Sequence, residues 1–468
     1  MDWSKILRVQ KIYIFAIILV SIIHFYLYNH FWFLKLFGWN IYDHQKNVVF
    51  LLVLFFLAMI YQLTVWIKLE TERKISNVGK QLIIPLFLYF AFGIFVVILH
   101  EQGFDAIKRY LFYLFTPVMV SVSIFAIFRN NGNIKKALFV LFLLGVIFSI
   151  YSTMLHVKMK TDFVSVYSIL DPDGKNAAGM SLEYLSRHSI PGLGVNNLES
   201  MLIAPLLIGF YYVMKSNRRM IKYFCILAIS FLFYNMAICG SRGAFLSLVC
   251  GMVYLYIKRF FASDKIAFSG VMLIFTAIIF ITETLLLRYL LTIYQFFPSI
   301  ADIDVIGRLI EKGHYGGYAI AGIGEKEARV DFLLNTVQVI KDNPVVGSGF
   351  TNLDTSQQLI FKGGGEHNAY FSIFAQGGMV IFIPLMAFAF LIYFNSEKSQ
   401  RLYADSPSKD LGVLLTAIFL SYFVDQFFTP GFFHRHWIWF CFVAAWARNC
   451  EMEHQMAAKA LRVEATKD

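Results

Sequence analysis

Charge is scarce in this chain. Asp, Glu, Lys and Arg make up 15% of 468 residues, against about 25% in a soluble domain. That shortage, beside 58% hydrophobic and 18% aromatic content, excludes an ordinary water-soluble protein. It equally excludes a disordered chain, which would be rich in charge and poor in aromatics. Proline is sparse, ten residues against fifty Phe, which suits long apolar helices. The five cysteines (Cys225, Cys239, Cys250, Cys441, Cys450) lie in or at the ends of apolar stretches without CxxC spacing, so neither a disulfide framework nor a thiolate metal site is expected. No HExxH and no Walker or dinucleotide loop occurs. Asp171-Pro172-Asp173 resembles a DxD, but its central proline makes it read as a turn. Neither a metal nor a cofactor is expected. Internal repeats and low-complexity tracts are also missing.

Long hydrophobic runs, by contrast, are abundant. A bilayer core about 30 Å thick needs roughly 20 mostly apolar residues per helix. That ruler finds twelve stretches: 12–28, 48–67, 81–99, 111–128, 137–155, 198–214, 221–238, 243–261, 266–286, 370–394, 411–428 and 433–447. The expectation is an all-α polytopic membrane protein of about 12 transmembrane helices, residues 1–468 forming a single membrane-embedded domain. The first stretch is flanked by Lys5, Arg8 and Lys11 but is followed by no small-residue cleavage site, so it reads as a retained helix.

The formal net charge is +11, and its distribution gives it a meaning. With the N-terminus inside, the intervening segments on the cytoplasmic side carry 24 of the 41 Lys and Arg and 11 acidic residues. Everything else holds 17 basic and 19 acidic residues. Every short basic tract thus falls on one side, predicting an N-in/C-in topology. The basic balance is a topology signal, with no nucleic-acid stripe to explain. Residues 448–468 read as a cytoplasmic tail, helical or frayed.

Two long excursions fall on the other side, 156–197 and 287–369, far above the usual 12–15 residue limit for structureless connections. The second contains an amphipathic stretch, Glu325 to Asp342, with Leu333, Val337 and Ile340 at helical spacing. Asn343-Pro344 should end that helix, because the residue before proline resists the α region. Gly347-Ser348-Gly349 and Gly363-Gly364-Gly365 follow, then Glu366-His367-Asn368 at the start of the tenth stretch.

Within these loops a few residues carry chemistry. His367 opens a helix, whose dipole disfavours a cation and leaves a neutral imidazole able to take a proton. From position alone it reads either as such a base or as an interfacial residue ending a membrane helix. Asn368 places an amide beside it. Ser241-Arg242-Gly243-Ala244 is the whole connection between two stretches, so the Arg242 cation lies close to hydrocarbon. An arginine beside the free N–H groups opening a helix suits a phosphate or diphosphate; the alternative is snorkelling to lipid headgroups. Arg329 lies near the start of the amphipathic stretch, beside Glu325 and Glu327, where a solvated ion pair is the competing explanation. Arg187-His188 precedes the turn-rich Gly192-Leu193-Gly194-Val195-Asn196-Asn197. Arg308, Lys312 and His314 form a looser basic group. Glu199, Glu283 and Asp425 are acidic residues near helix ends, read either as functional carboxylates or as interfacial or hydrogen-bonded ones.

The order of these features resembles the O-antigen ligase and polymerase superfamily, bacterial inner-membrane glycosyltransferases of the GT-C type with a large periplasmic loop between helices 9 and 10. The matching segments are Arg187 through Asn197, Ser241-Arg242-Gly243-Ala244, Arg329 with Asn343-Pro344-Val345-Val346-Gly347-Ser348-Gly349, and His367-Asn368 with Gly377-Gly378. The resemblance covers the second half of the chain best. It implies an undecaprenyl-diphosphate-linked glycan as donor and a sugar hydroxyl as acceptor, joined at the periplasmic face without metal or nucleotide. It further implies His367 as the base, and Arg242, Arg329, Arg187 and Asn368 as diphosphate- or substrate-binding residues.

Within that superfamily a ligase joins the glycan to lipid A–core, whereas a polymerase joins it to another repeat unit. Twelve helices with one dominant loop look more like the ligase, by fold analogy. A flippase or other 12-helix transporter is the reading from another class. It predicts two similar halves and interrupted helices with midplane charge, and no such repeat is found in the sequence.

Overall fold

The structure, a computed structural model, describes residues 77–100, 128, 130–161, 195–239, 242–260, 336–349, 368–402, 408–428 and 437–464. Among these the regular structure is entirely helical. In chain order the helices are α1 (Asn77–Leu99), α2 (Asn131–Thr161), α3 (Val195–Lys215), α4 (Arg219–Cys239), α5 (Arg242–Phe260), α6 (Ala369–Leu402), α7 (Lys409–Asp425) and α8 (Trp437–Glu464). A further short helix covers 336–342. Among the described residues four segments are long and apolar enough to cross a membrane: α1, α6, residues Asn131–Met154 of α2 and Arg219–Met236 of α4. This is the composition of a helical membrane protein.

Eight of the twelve predicted stretches coincide with these helices. Stretches 12–28, 48–67 and 266–286 lie outside the described residues, as does 111–128 apart from Phe128. Of the helices that run past their predicted ends, α6 and α8 share one physical reason. Hydropathy stops α6 near 394, yet it continues to Leu402. Its polar last turns are buried and hydrogen-bonded, with Ser396 Oγ 2.6 Å from Thr416 Oγ1 and Gln400 Nε2 donating to the same hydroxyl at 2.9 Å. Similarly α8 does not end near 447. Arg448 and Asn449 both donate to Phe128 O, at 2.8 and 2.9 Å, so polar residues continue the helix inside packed protein. Satisfied polar groups cost little to bury, and a hydropathy window cannot see the partner.

The chain divides into two compact units. The first comprises Met1–Phe139, Thr336–Phe419 and Pro430–Asp468; the second, Val140–Asn335 with Leu420–Thr429.

In the first unit α6 packs on α1 and α8, and α8 also meets α1. Gly412 of α7 has no side chain because the Trp446 indole occupies that space. The indole Nε1 donates to Ser408 O at 3.1 Å. Phe440 packs on Phe419 with the rings tilted by 53° and centroids 4.7 Å apart, and Phe442 lies 4.8 Å from Phe128. Lower on α8 the Glu451 carboxylate accepts from Asn77 N at 3.0 Å and Val78 N at 3.1 Å, capping the N-terminus of α1 from a distant helix. Glu453 accepts from Asn131 Nδ2 at 3.3 Å, and partial burial raises its pKa above the ordinary carboxylate range, with Lys135 opposing.

In the second unit α3 is the central helix, buried continuously from Glu199 to Tyr211, and packs on α4 and α5. Close approach is possible where side chains are missing. Gly145 of α2 faces the ring of Pro205, and Gly209 faces Ile229 and Phe142. A polar pair joins α2 to α4, with Thr153 Oγ1 donating to Asn235 Oδ1 at 2.6 Å.

Candidate functional site

Sequence reasoning expected the 325–342 stretch to stop at Asn343-Pro344. Of that stretch 336–342 is described, and it is helical and ends there. Asn343 N still bonds Val339 O at 3.0 Å, and Gly347 N returns to Asn343 O at 3.0 Å, closing a turn. Gly347 and Gly349 both have positive φ, 68° and 88°, a region that penalises any residue with a Cβ.

That turn lies on a break in α6. Gly378 has φ 62° and ψ −168°, outside the helical region, so the ladder opens there. In a regular helix Met379 N and Val380 N would bond Ala375 O and Gln376 O. Here the loop takes both sides. Met379 N donates to Pro344 O at 2.9 Å and Val380 N to Val345 O at 3.1 Å, while Ser348 N and Gly349 N donate to Ala375 O and Gln376 O at 2.8 and 2.9 Å. Ser348 Oγ adds a bond to Ala375 O at 3.1 Å. Two opened helical steps are thus replaced by four main-chain bonds. A Cβ at Gly378 would collide with Val345 O and Gly347 N, and one at Gly347 with Gln376 O. The two glycine motifs, read separately in the sequence, form one joint.

Eight residues before Gln376, about 12 Å along an ideal helix, Asn368 opens α6. Its Oδ1 accepts from Tyr370 N at 3.0 Å and Phe371 N at 3.2 Å, the bonding of a helix N-cap. Read as a substrate amide from sequence, Asn368 has its carbonyl oxygen engaged by the helix. His367, immediately before it, lies outside the described residues, as do Arg329, Arg187, Arg308, Lys312, His314 and Glu283.

In the second unit Arg242 is the first residue of α5, and only two residues separate it from α4. Gly243, next in line, faces the Phe428 side chain, which would clash with any Cβ there. Phe428 follows the end of α7, where Asp425 is fully buried and its Oδ2 accepts from Ser200 Oγ at 2.7 Å. Tyr422, one turn earlier, donates its hydroxyl to Ser200 O at 3.0 Å and accepts from Ala204 N at 3.3 Å. Glu199 is buried beside Ser200 in α3. The starts of α3 and α5 and the end of α7 therefore meet at one end of this unit. Asp425 proves hydrogen-bonded and buried, one of the two expectations for it. Its partners Ser200 and Tyr422 gave no signal in sequence beyond being polar within apolar runs.

Among the described residues no three His, Cys, Asp or Glu side chains converge as a metal-ligand set would. No family model matches the chain, and no curated protein matches its sequence.

Proposed function

We propose that the chain is a glycosyltransferase of the O-antigen ligase type. It is multi-pass in the bacterial inner membrane, N-in and C-in, and moves an undecaprenyl-diphosphate-linked glycan onto lipid A–core at the periplasmic face. In this reading the acceptor hydroxyl loses its proton to His367 as its oxygen bonds the anomeric carbon of the donor. The bond from that carbon to the diphosphate breaks, and the leaving group keeps the electron pair. Arg242 and Arg329, with Arg187, hold the charge that develops on the diphosphate, the part a metal would otherwise take. Asn368 caps the helix that carries His367 on its N-terminal side.

One observation supports this reading above the others. Two of the segments on which the resemblance rests, Asn343–Gly349 and Gly377-Gly378, are hydrogen-bonded neighbours in a joint that demands their glycines.

Purified protein given a lipid-linked glycan and lipid A–core should transfer the glycan in the presence of EDTA. His367→Ala should lower the rate by about 10²–10⁴-fold and Arg242→Ala by about 10²–10³-fold, with both variants still membrane-inserted. Normal transfer by His367→Ala would remove the base from the mechanism. Transfer to a second repeat unit in place of lipid A–core would reassign the chain to the polymerases.

A further inference from the structure

From Ser200 to Ser263 the chain has no aspartate or glutamate and seven lysines and arginines. Helices α3, α4 and α5 fill nearly all of this stretch. Residues 216–218 join α3 to α4 and two residues join α4 to α5, so consecutive helices reverse direction and α5 runs parallel to α3. Lys215, Arg218, Arg219, Lys222, Lys258 and Arg259 therefore fall at one end of these three helices. Arg242 alone falls at the other, the end marked by Ser200, Asp425 and Phe428.

The basic end has a defined shape. Ser216 Oγ accepts from Arg218 N at 3.2 Å, and Lys222 N bonds Arg218 O at 3.2 Å, which fixes the turn. Lys215, Arg218 and Arg219 are exposed. Directly beside them Met220, Tyr223 and Leu227 are 82%, 67% and 72% exposed, so bare apolar surface begins at the level of the charges. Tyr211 and Tyr212 pack edge to face at 5.5 Å, and Lys258 lies over the Tyr254 ring at 5.4 Å. Cations gathered at one end of three helices, with tyrosines near them and a bare apolar flank on one side, match the boundary between headgroups and hydrocarbon.

We propose that this end of α3, α4 and α5 is a seat for the phosphodiester headgroup of an anionic phospholipid. The charges meet the phosphate, the tyrosines lie at headgroup depth, and Met220 and Leu227 face the acyl chains. A soluble polyanion offers the same phosphate but nothing to cover that apolar flank. The proposal is independent of the glycosyltransferase reading.

Native mass spectrometry of the full chain, titrated with phosphatidylglycerol or phosphatidylcholine, tests it. Arg218→Gln/Arg219→Gln/Lys222→Gln should bind phosphatidylglycerol on the order of a hundredfold more weakly, about fivefold per lost charge. The charge-matched triple Lys341→Gln/Lys398→Gln/Arg401→Gln, exposed residues outside α3, α4 and α5, should stay within about twofold of the parent, since it leaves the proposed seat intact. Phosphatidylcholine binding should not change in either. Equal loss in both triples would overturn the proposal, as would equal affinity for the two lipids. So would displacement of the lipid by inorganic phosphate or a short oligonucleotide beyond that caused by chloride at equal ionic strength. If the first triple is not monodisperse, Arg219→Gln alone should show the fivefold step, and its absence would be equally decisive.

Discussion

Two of the described helices, α6 and α3, take main-chain hydrogen bonds from outside their own ladder, and they do so in different ways. In α6 the break at Gly378 is bridged by the main chain of residues 344–349. In α3 the Tyr422 phenol from α7 bonds both Ser200 O and Ala204 N, next to Pro205, which supplies no N–H to the turn before it. Both answer the same constraint, because a freed backbone group inside a membrane or a packed core has no water to turn to. Main-chain repair makes many bonds but needs strands of backbone in contact, hence glycine on both sides. Side-chain repair leaves the backbone alone and hangs on one hydroxyl.

The joint in α6 is most sensitive at Gly378. Gly378→Ala puts a Cβ at positive φ and against backbone atoms that cannot swing away. We expect a loss of about 3 kcal/mol or more, read as a collapse of the thermal unfolding midpoint of the detergent-solubilised protein. A variant as stable as the parent would mean that the joint tolerates side chains.

Tyr422→Phe is the matching cut in the other helix. It removes one oxygen without changing the packing, and should cost about 1–2 kcal/mol by the same assay. A cost equal to that of Gly378→Ala would erase the distinction between the two repairs.

Asn368 offers a smaller and more discriminating change. Asn368→Ala should cost about 1 kcal/mol and Asn368→Asp almost nothing, as aspartate caps equally well. If Asn368→Asp keeps stability but loses glycan transfer, its amide nitrogen touches substrate; if it keeps both, the residue is a cap alone.

The smallest expected effect is electrostatic. Because the folded state raises the pKa of Glu453, it binds a proton more readily than the unfolded chain. Stability should therefore rise slightly as pH falls from neutral toward the ordinary carboxylate range, and Glu453→Gln should flatten that slope. A slope unchanged in Glu453→Gln would assign it to other groups.

Much of the frame was legible in the sequence. Apolar runs located eight helices, and Asn343-Pro344 marked the end of the loop helix. What escaped were pairings across long sequence separations. Gly347 and Gly378 each announced an unusual backbone, yet nothing in either segment named the other as its partner. Ser200 and Tyr422 are common residues in apolar surroundings, and only the fold makes them a pair. Arg448 and Ser396 looked like helix ends because polarity in a sequence carries no record of the group that satisfies it. Asn368 was read for its amide beside His367, whereas its position before Ala369 also fitted a cap.

The Glu451 clasp on α1 has a consequence for the order in which the protein is made. The bonded residues are 374 positions apart. At about 5–20 residues per second, roughly 20–75 s of translation separates the two. All of the second unit's described helices, the end of α7 included, are synthesised within that interval. The unit that begins first is thus completed last, and α1 is made well before the Glu451 carboxylate that caps it.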